Sequence, residues 1–170
     1  LIPEKQRAFV RDLLDQAGIP ALAPGEEERI YQEYMTRERN YTPEGAAKFI
    51  DVTLRHDKVN LVVSALGAPP GEAVREFRKR GIRVGGMCGN LAHARHQLAV
   101  GVDLLIAQGT EAGGHTGTIS TMVLVPQVVE AAGDIPVLAA GGISRGSHIA
   151  AALALGAQGV WCGTIWLGTR

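Results

Sequence analysis

From about residue 59 the sequence repeats one unit. Short apolar runs begin near residues 60, 82, 103, 135 and 158, each ends at or near a glycine, and the first four are followed by helix-like segments. An apolar run bounded by turn residues is the pattern of a strand buried on both faces. No hairpin signal joins any two runs, so the connections are right-handed crossovers and the sheet is parallel. Three of the four spacings are about 22 residues, and the one between 103 and 135 is about ten longer. Units this regular predict an α/β fold of the (β/α)8 TIM barrel kind, which needs on the order of 250 residues. Five strands in 170 residues make its later part, about strands 4–8, preceded by an N-terminal helical segment. An open five-stranded parallel sheet is the structural alternative.

The local signals fill in this frame. Phe9, Val10, Leu13 and Leu14 fall at helical spacing and predict a helix over 3–17, with Gly18 as its stop. Pro20, Pro24 and Gly25 then break the chain, and 26–39 reads as a charged, exposed helix. Its acidic start and basic end suit the helix dipole. Thr42 and Pro43 start a helix that runs to about His56. Residues 1–58 are thus a helical segment with an insertion, and 59–170 are barrel. Within the barrel, strands are expected over 60–65, 82–87, 102–107, 135–140 and 158–162. Helices are expected over 69–80, from Asn90 as cap to near Gly101, over 124–132 with Pro126 in the first turn, and from Ser147 as cap to Gly156.

Seventeen basic and seventeen acidic residues cancel, which argues against nucleic acid or an anionic membrane as partner. No apolar run approaches the roughly 18 residues of a membrane span. Two cysteines, Cys88 and Cys162, suit a reducing compartment better than a disulfide framework, and the expected location is cytoplasmic. The sequence opens on leucine and stops just after a strand-like segment, so it reads as a fragment of a longer chain.

All five strands run the same way, so their C-terminal ends share one face. Gly67, Cys88, the stretch 108–117 and the pairs Gly141–Gly142 and Gly163–Thr164 lie there. The extra length after the third strand contains GTEAGGHTG, with His115 in it. Glycine lets a backbone approach a ligand closely, and α/β barrels place their active sites at this face. His115 is the candidate acid–base group, because histidine titrates near neutral pH; a solvated loop histidine is the bland reading. Glu111 either orients it or faces solvent. Gln108, at a buried strand end, needs hydrogen-bond partners, from a heterocyclic ring or from loop backbone. Glycine turns after the last two strands are where barrels bind phosphate, although either is by itself a common tight turn. His93 and His96 lie one helical turn apart with no third ligand nearby, so no metal is expected there. His148 reads as structural. Cys88 and Cys162 end strands, where a thiol either touches a ligand or is buried and inert.

The strings AQGTEAGGHTG at 107–117, AAGGIS at 139–144 and the strand with GT at 158–164 closely resemble the nitronate monooxygenase family, formerly the 2-nitropropane dioxygenases. The resemblance runs from about Asn60 to the end and more faintly to the start. It implies an FMN-dependent (β/α)8 barrel that oxidises alkyl nitronates with O2. It implies that His115 takes the substrate's α-proton, that Gln108, Gly113 and Gly114 border the flavin, and that Gly141, Gly142, Trp161, Cys162, Gly163 and Thr164 hold its phosphate side. Trp161 departs from the family, where a smaller polar residue, often glutamine, is expected. Flavin contacts from the first three strands are absent from this sequence. Other readings stay open: an FMN-dependent enoyl-(acyl carrier protein) reductase or NAD(P)H:quinone reductase, a flavin-free lyase or isomerase on a phosphorylated substrate, and a chain with no catalysis.

Overall fold

The computed structural model describes residues 3–36 and 43–169. By its internal contacts the chain divides into two units, 1–45 and 46–170. The first contains α1 (Glu4–Gln16) and α2 (Glu26–Thr36). Gly18 takes φ +67° just past α1, as the stop signal required. Arg7 and Glu27 pair at 3.3 Å between the two helices. Glu26, Glu27 and Glu28 form the first turn of α2, as the dipole favours. The basic end expected for this helix, Arg37 and Arg39, and the expected cap Thr42 lie outside the described residues.

α3 (Pro43–Leu54) spans the division, and the second unit continues as β1 (Leu61–Ser64), α4 (Gly71–Lys79), β2 (Arg83–Cys88), α5 (Leu91–Val100), β3 (Leu104–Gln108), α6 (Thr121–Ala132), β4 (Val137–Ala140), α7 (Gly146–Ala154), β5 (Gly159–Trp161) and a 3-10 turn at Thr164–Gly168. The five strands are all parallel and lie in sheet order β1-β2-β3-β4-β5. A doubly wound sheet reverses its order at a switch point and carries helices on both faces. Here the order never reverses. Val84 and Cys88 of β2, Leu105 and Ala107 of β3, and Val137 and Ala139 of β4 share one core cluster with Val74 and Phe77 of α4, Ala94 of α5, Leu124, Val125 and Val128 of α6, and Ala152 of α7. One helical layer on one face, in sequential strand order, is an arc of a (β/α)8 barrel. The open-sheet alternative is excluded on this topology.

The alternate residues define the inner face. A Cβ on Gly85 would meet Val63 Cγ2 at 3.2 Å and Leu104 Cδ2 at 3.5 Å, and one on Gly159 would meet Leu138 Cδ2 at 3.0 Å. Met87, Ile106, Gln108, Ala140 and Trp161 follow on this face by the two-residue period. Register puts Gln108 beside Ala140 and Ala140 beside Trp161. A small side chain between two large ones leaves a hollow at the C-terminal rim.

The opposite rim is pinned by side chains. Asp103 Oδ2 accepts the Val84 N–H at 2.9 Å, and Arg78 donates to Asp103 Oδ1 at 2.9 Å and to the Gly101 carbonyl at 2.6 Å. Gln158 Oε1 accepts the Val137 N–H at 2.7 Å. These bonds satisfy strand donors just where β2 and β4 begin to pair.

Two helix starts differ from expectation. α6 begins at Thr121, three residues before Leu124, so Pro126 stands sixth in the helix rather than in its first turn. Its first N–H is satisfied from a distant loop, which local sequence cannot reveal. α7 begins at Gly146 with Arg145 at the cap position, not Ser147, and no side chain caps it. By contrast Asn90 does cap α5, its side chain accepting the His93 N–H at 2.8 Å. Replacing Asp103 by alanine in the full-length protein leaves the Val84 N–H unpaired. We expect a loss of about 1–2 kcal/mol in chemical denaturation, discounted for the exposed arginine partner, with no change in the spectrum of any bound chromophore.

Candidate active site

The loop after β3 crosses the C-terminal rim, and its glycines hold it there. A Cβ on Gly117 would lie 2.3 Å from the Gly89 carbonyl oxygen, and one on Gly89 would lie 2.8 Å from the Gly117 nitrogen. Backbone therefore packs on backbone between this loop and the end of β2. A Cβ on Gly109 would lie 2.1 Å from Thr121 Oγ1. Thr110 N–H donates to the Ile119 carbonyl at 2.9 Å, which closes the loop on itself.

Glu111 neither orients His115 nor faces solvent idly. Its Oε2 accepts from the Thr121 N–H at 2.9 Å and from Thr121 Oγ1 at 2.7 Å. The carboxylate caps α6 at its positive end. Desolvation pushes this carboxyl up, but the Thr121 side-chain and backbone hydrogen bonds outweigh it, and the group sits below the usual 4.5.

Two cavities open on the rim. The larger, about 650 Å³, is lined by Met87, Gln108, Glu111, Ala112 and Gly113, by residues 140–144, and by Trp161, Cys162, Gly163, Thr164 and Ile165. It holds nearly all the residues expected around the cofactor; Gly114 lines neither cavity and takes φ +81° in open space. Gly141 and Gly142 have φ +108° and +69°, which turns the backbone away from the strand line. The N–H groups of Gly142, Ile143, Gly163 and Thr164 donate to nothing among the described residues. Unpaired backbone N–H groups on glycine turns are of the kind that can bind an anion. His148 Nδ1 accepts the Ser144 N–H at 3.2 Å, so this histidine holds the edge of the first turn. The hollow over Ala140, between Gln108 and Trp161, is the cavity floor.

The smaller cavity, about 400 Å³, contains His115, Thr116 and Gly117 from the loop, residues 65–68 after β1, Met87, Cys88 and Gly89 from β2, Gln108, and His93, His96 and Gln97 from α5. Met87 and Gln108 line both cavities and form the wall between them. The Gln108 and His115 side chains have no hydrogen-bond partner among the described residues, so both are available to a ligand. Gln97 is 1% exposed and lies flat over Gly86, where a Cβ would come within 2.3 Å of its Oε1; its Nε2 donates to the Met87 carbonyl at 3.2 Å. It fixes the backbone of the dividing wall. Burial pushes the Cys88 thiol up to about 12, and its Sγ donates to the Ile106 carbonyl at 3.5 Å, both of which disfavour the thiolate. Among the described residues no group of three or more His, Cys, Asp or Glu can hold a metal ion, and no helix is long and apolar enough to cross a membrane.

The loop and the two glycine turns are marked in the sequence, whereas Met87 and Thr121 carry no local signal. His93 and His96 are exposed on α5, and their place beside the smaller cavity follows from the packing of α5 on the sheet and α6, Gln97 on Gly86 included.

The fold is an arc of a (β/α)8 barrel with two glycine turns after its last two strands and a histidine-bearing loop beside them at the C-terminal rim. The nitronate monooxygenase family profile matches residues 17–170, and the chain belongs to that family. A Mycobacterium tuberculosis protein named for monooxygenase activity is 50% identical over 170 residues, covering 100% of this chain and 44% of that one. A Rhodococcus jostii dehydrogenase of a bicyclic carboxyl-CoA is 43% identical over 121 residues, or 71% of this chain and 33% of the enzyme. The crystal structure of nitroalkane oxidase from Streptomyces ansochromogenes superimposes with a TM-score of 0.69 at 39% identity, over 74% of this chain and 39% of that one. The chain spans less than half the length of the relatives it matches.

Replacing Glu111 by leucine removes the cap on α6. We expect a loss of about 1 kcal/mol or less after solvent screening. The sign follows from the depressed carboxyl: the contribution is complete above pH 4.5 and disappears as the pH falls below that through the lowered folded value. Denaturation of the full-length protein and its leucine variant therefore converges in acid and diverges above pH 4.5.

Proposed function

We propose that this chain carries the later strands of the catalytic barrel of an FMN-dependent oxidoreductase of the nitronate monooxygenase type, acting on alkyl nitronates with O2. The observation that carries the reading is the pair of cavities sharing the Met87–Gln108 wall. A cavity of about 650 Å³ that is lined by both glycine turns with their unpaired N–H groups fits a ring system with a phosphate tail. The neighbouring cavity with His115 fits a small substrate laid against that ring.

The residues divide the work accordingly. The N–H groups of Gly142, Ile143, Gly163 and Thr164 receive the phosphate. Gly113 lets the loop backbone approach the ring, and Trp161 covers the hollow over Ala140. Gln108 offers its amide to ring or substrate across the wall. His115 takes the α-proton of a nitroalkane onto an imidazole nitrogen, in a cavity that no carboxylate lines. When bound, FMN would supply the two-electron redox chemistry, with O2 as the acceptor. The partners are a small-molecule substrate and O2.

A second reading, an FMN-dependent reductase of an acyl thioester or quinone using NAD(P)H, draws weight from the relative that acts on a carboxyl-CoA. Rapid bleaching of the flavin by NAD(P)H would favour it.

Replacing His115 by alanine in the full-length enzyme is expected to lower kcat/KM for nitroethane by about 10²–10⁴-fold, with bound flavin unchanged. A variant that keeps its flavin and stays within a few-fold of wild type would contradict the role given to His115.

A further inference from the structure

The proposed chemistry uses one wall of the smaller cavity. The other wall is α5, where His93 and His96, three residues apart, lie on neighbouring positions of one helix face. Three imidazoles therefore line a cavity that contains no acidic side chain and no Lys or Arg. Its other ionisable group is the Cys88 thiol, which burial keeps neutral.

The two α5 histidines are not equivalent. Asn90 Oδ1 accepts the His93 N–H at 2.8 Å, which fixes the Asn90 amide with its Nδ2 toward His93 Nε2, 3.3 Å away. An amide nitrogen can only donate, so His93 Nε2 is an occupied acceptor. His96 has no such partner among the described residues and lines the same cavity as His115.

We propose that His96 is a second functional group of the substrate cavity, donating a hydrogen bond to the substrate oxygen that gains negative charge as His115 removes the proton. This rests on the reading of His115 as base. In the step, the substrate C–H bond breaks and its proton passes to a His115 nitrogen. The electron pair becomes the C=N bond of the nitronate, and one N=O pair moves onto oxygen. No oxidant enters at this stage. A base alone leaves that oxygen's charge unanswered; a donor elsewhere in the same cavity answers it as it forms. The same donor receives a substrate that arrives already as the anion, since a planar nitronate presents two oxygens of the same kind.

Butyrate, a planar oxyanion that cannot react, probes the site without turnover. In the full-length protein we expect butyrate to shift the His96 ring resonances, identified with His96→Gln. His96→Ala should weaken butyrate about tenfold, as for a hydrogen bond to a charged acceptor. His96→Gln, which keeps a donor, should recover part of that affinity. We also expect kcat/KM for nitroethane to fall at least tenfold in His96→Ala. Unchanged butyrate affinity in His96→Ala, or no butyrate binding to wild type, would overturn the proposal. If wild type binds butyrate through His96 yet leaves nitroethane untouched, the oxyanion site stands and the nitronate reading fails. If wild type oxidises nitroethane and His96→Ala does so equally well, the nitronate reading stands and the role of His96 fails.

Discussion

The site depends on a contact that only bare backbone can make. The Gly117 and Gly89 main chains touch so closely that neither position has room for a Cβ. That approach lays the loop after β3 across the end of β2. On the loop's other side Gly109 packs on Thr121, and Glu111 reaches the same threonine with its carboxylate. The loop is thus tied to β2 and to α6, the elements flanking its own strand. His115, between these anchors, is delivered to the rim although its own ring is held by no hydrogen bond among the described residues. Rigidity thus resides in the backbone and freedom in the ring, which suits the base role proposed for His115.

The barrel contributes through register. Gln108, Ala140 and Trp161 form one inner row because β3, β4 and β5 pair in step. A larger residue at 140 would fill the hollow that becomes the floor of the larger cavity. Below that row, Gln97 packs on Gly86 and holds the Met87 carbonyl, which keeps the dividing wall in place. The core beneath is ordinary aliphatic packing of strands against one layer of helices, and it carries the rim without taking part in its chemistry.

Much of this was legible in the residues. Five glycine-ended apolar runs fixed the number, direction and order of strands, because periodicity and turn chemistry act locally. Asn90 as a cap and Gly18 as a stop were readable for the same reason. What failed depended on contacts distant in sequence. α6 starts early because Glu111, ten residues upstream, caps it. Ser147 looked like a cap and is not one, since the turn at 144 is held instead by His148. His93 and His96 are exposed on α5, as a partly exposed outer helix implies, but that they line one cavity with His115 is visible only in three dimensions. The glycine turns are marked in the sequence, but that their N–H groups are left unpaired among the described residues is visible only in three dimensions.

The central claim is that the larger cavity holds FMN by the glycine turns after β4 and β5. The visible absorbance spectrum of the purified full-length protein tests it most directly. The account predicts a yellow protein that releases one FMN per chain on denaturation and loses it when Gly142 is replaced by a bulky residue. A folded, colourless protein that cannot take up added FMN would contradict it.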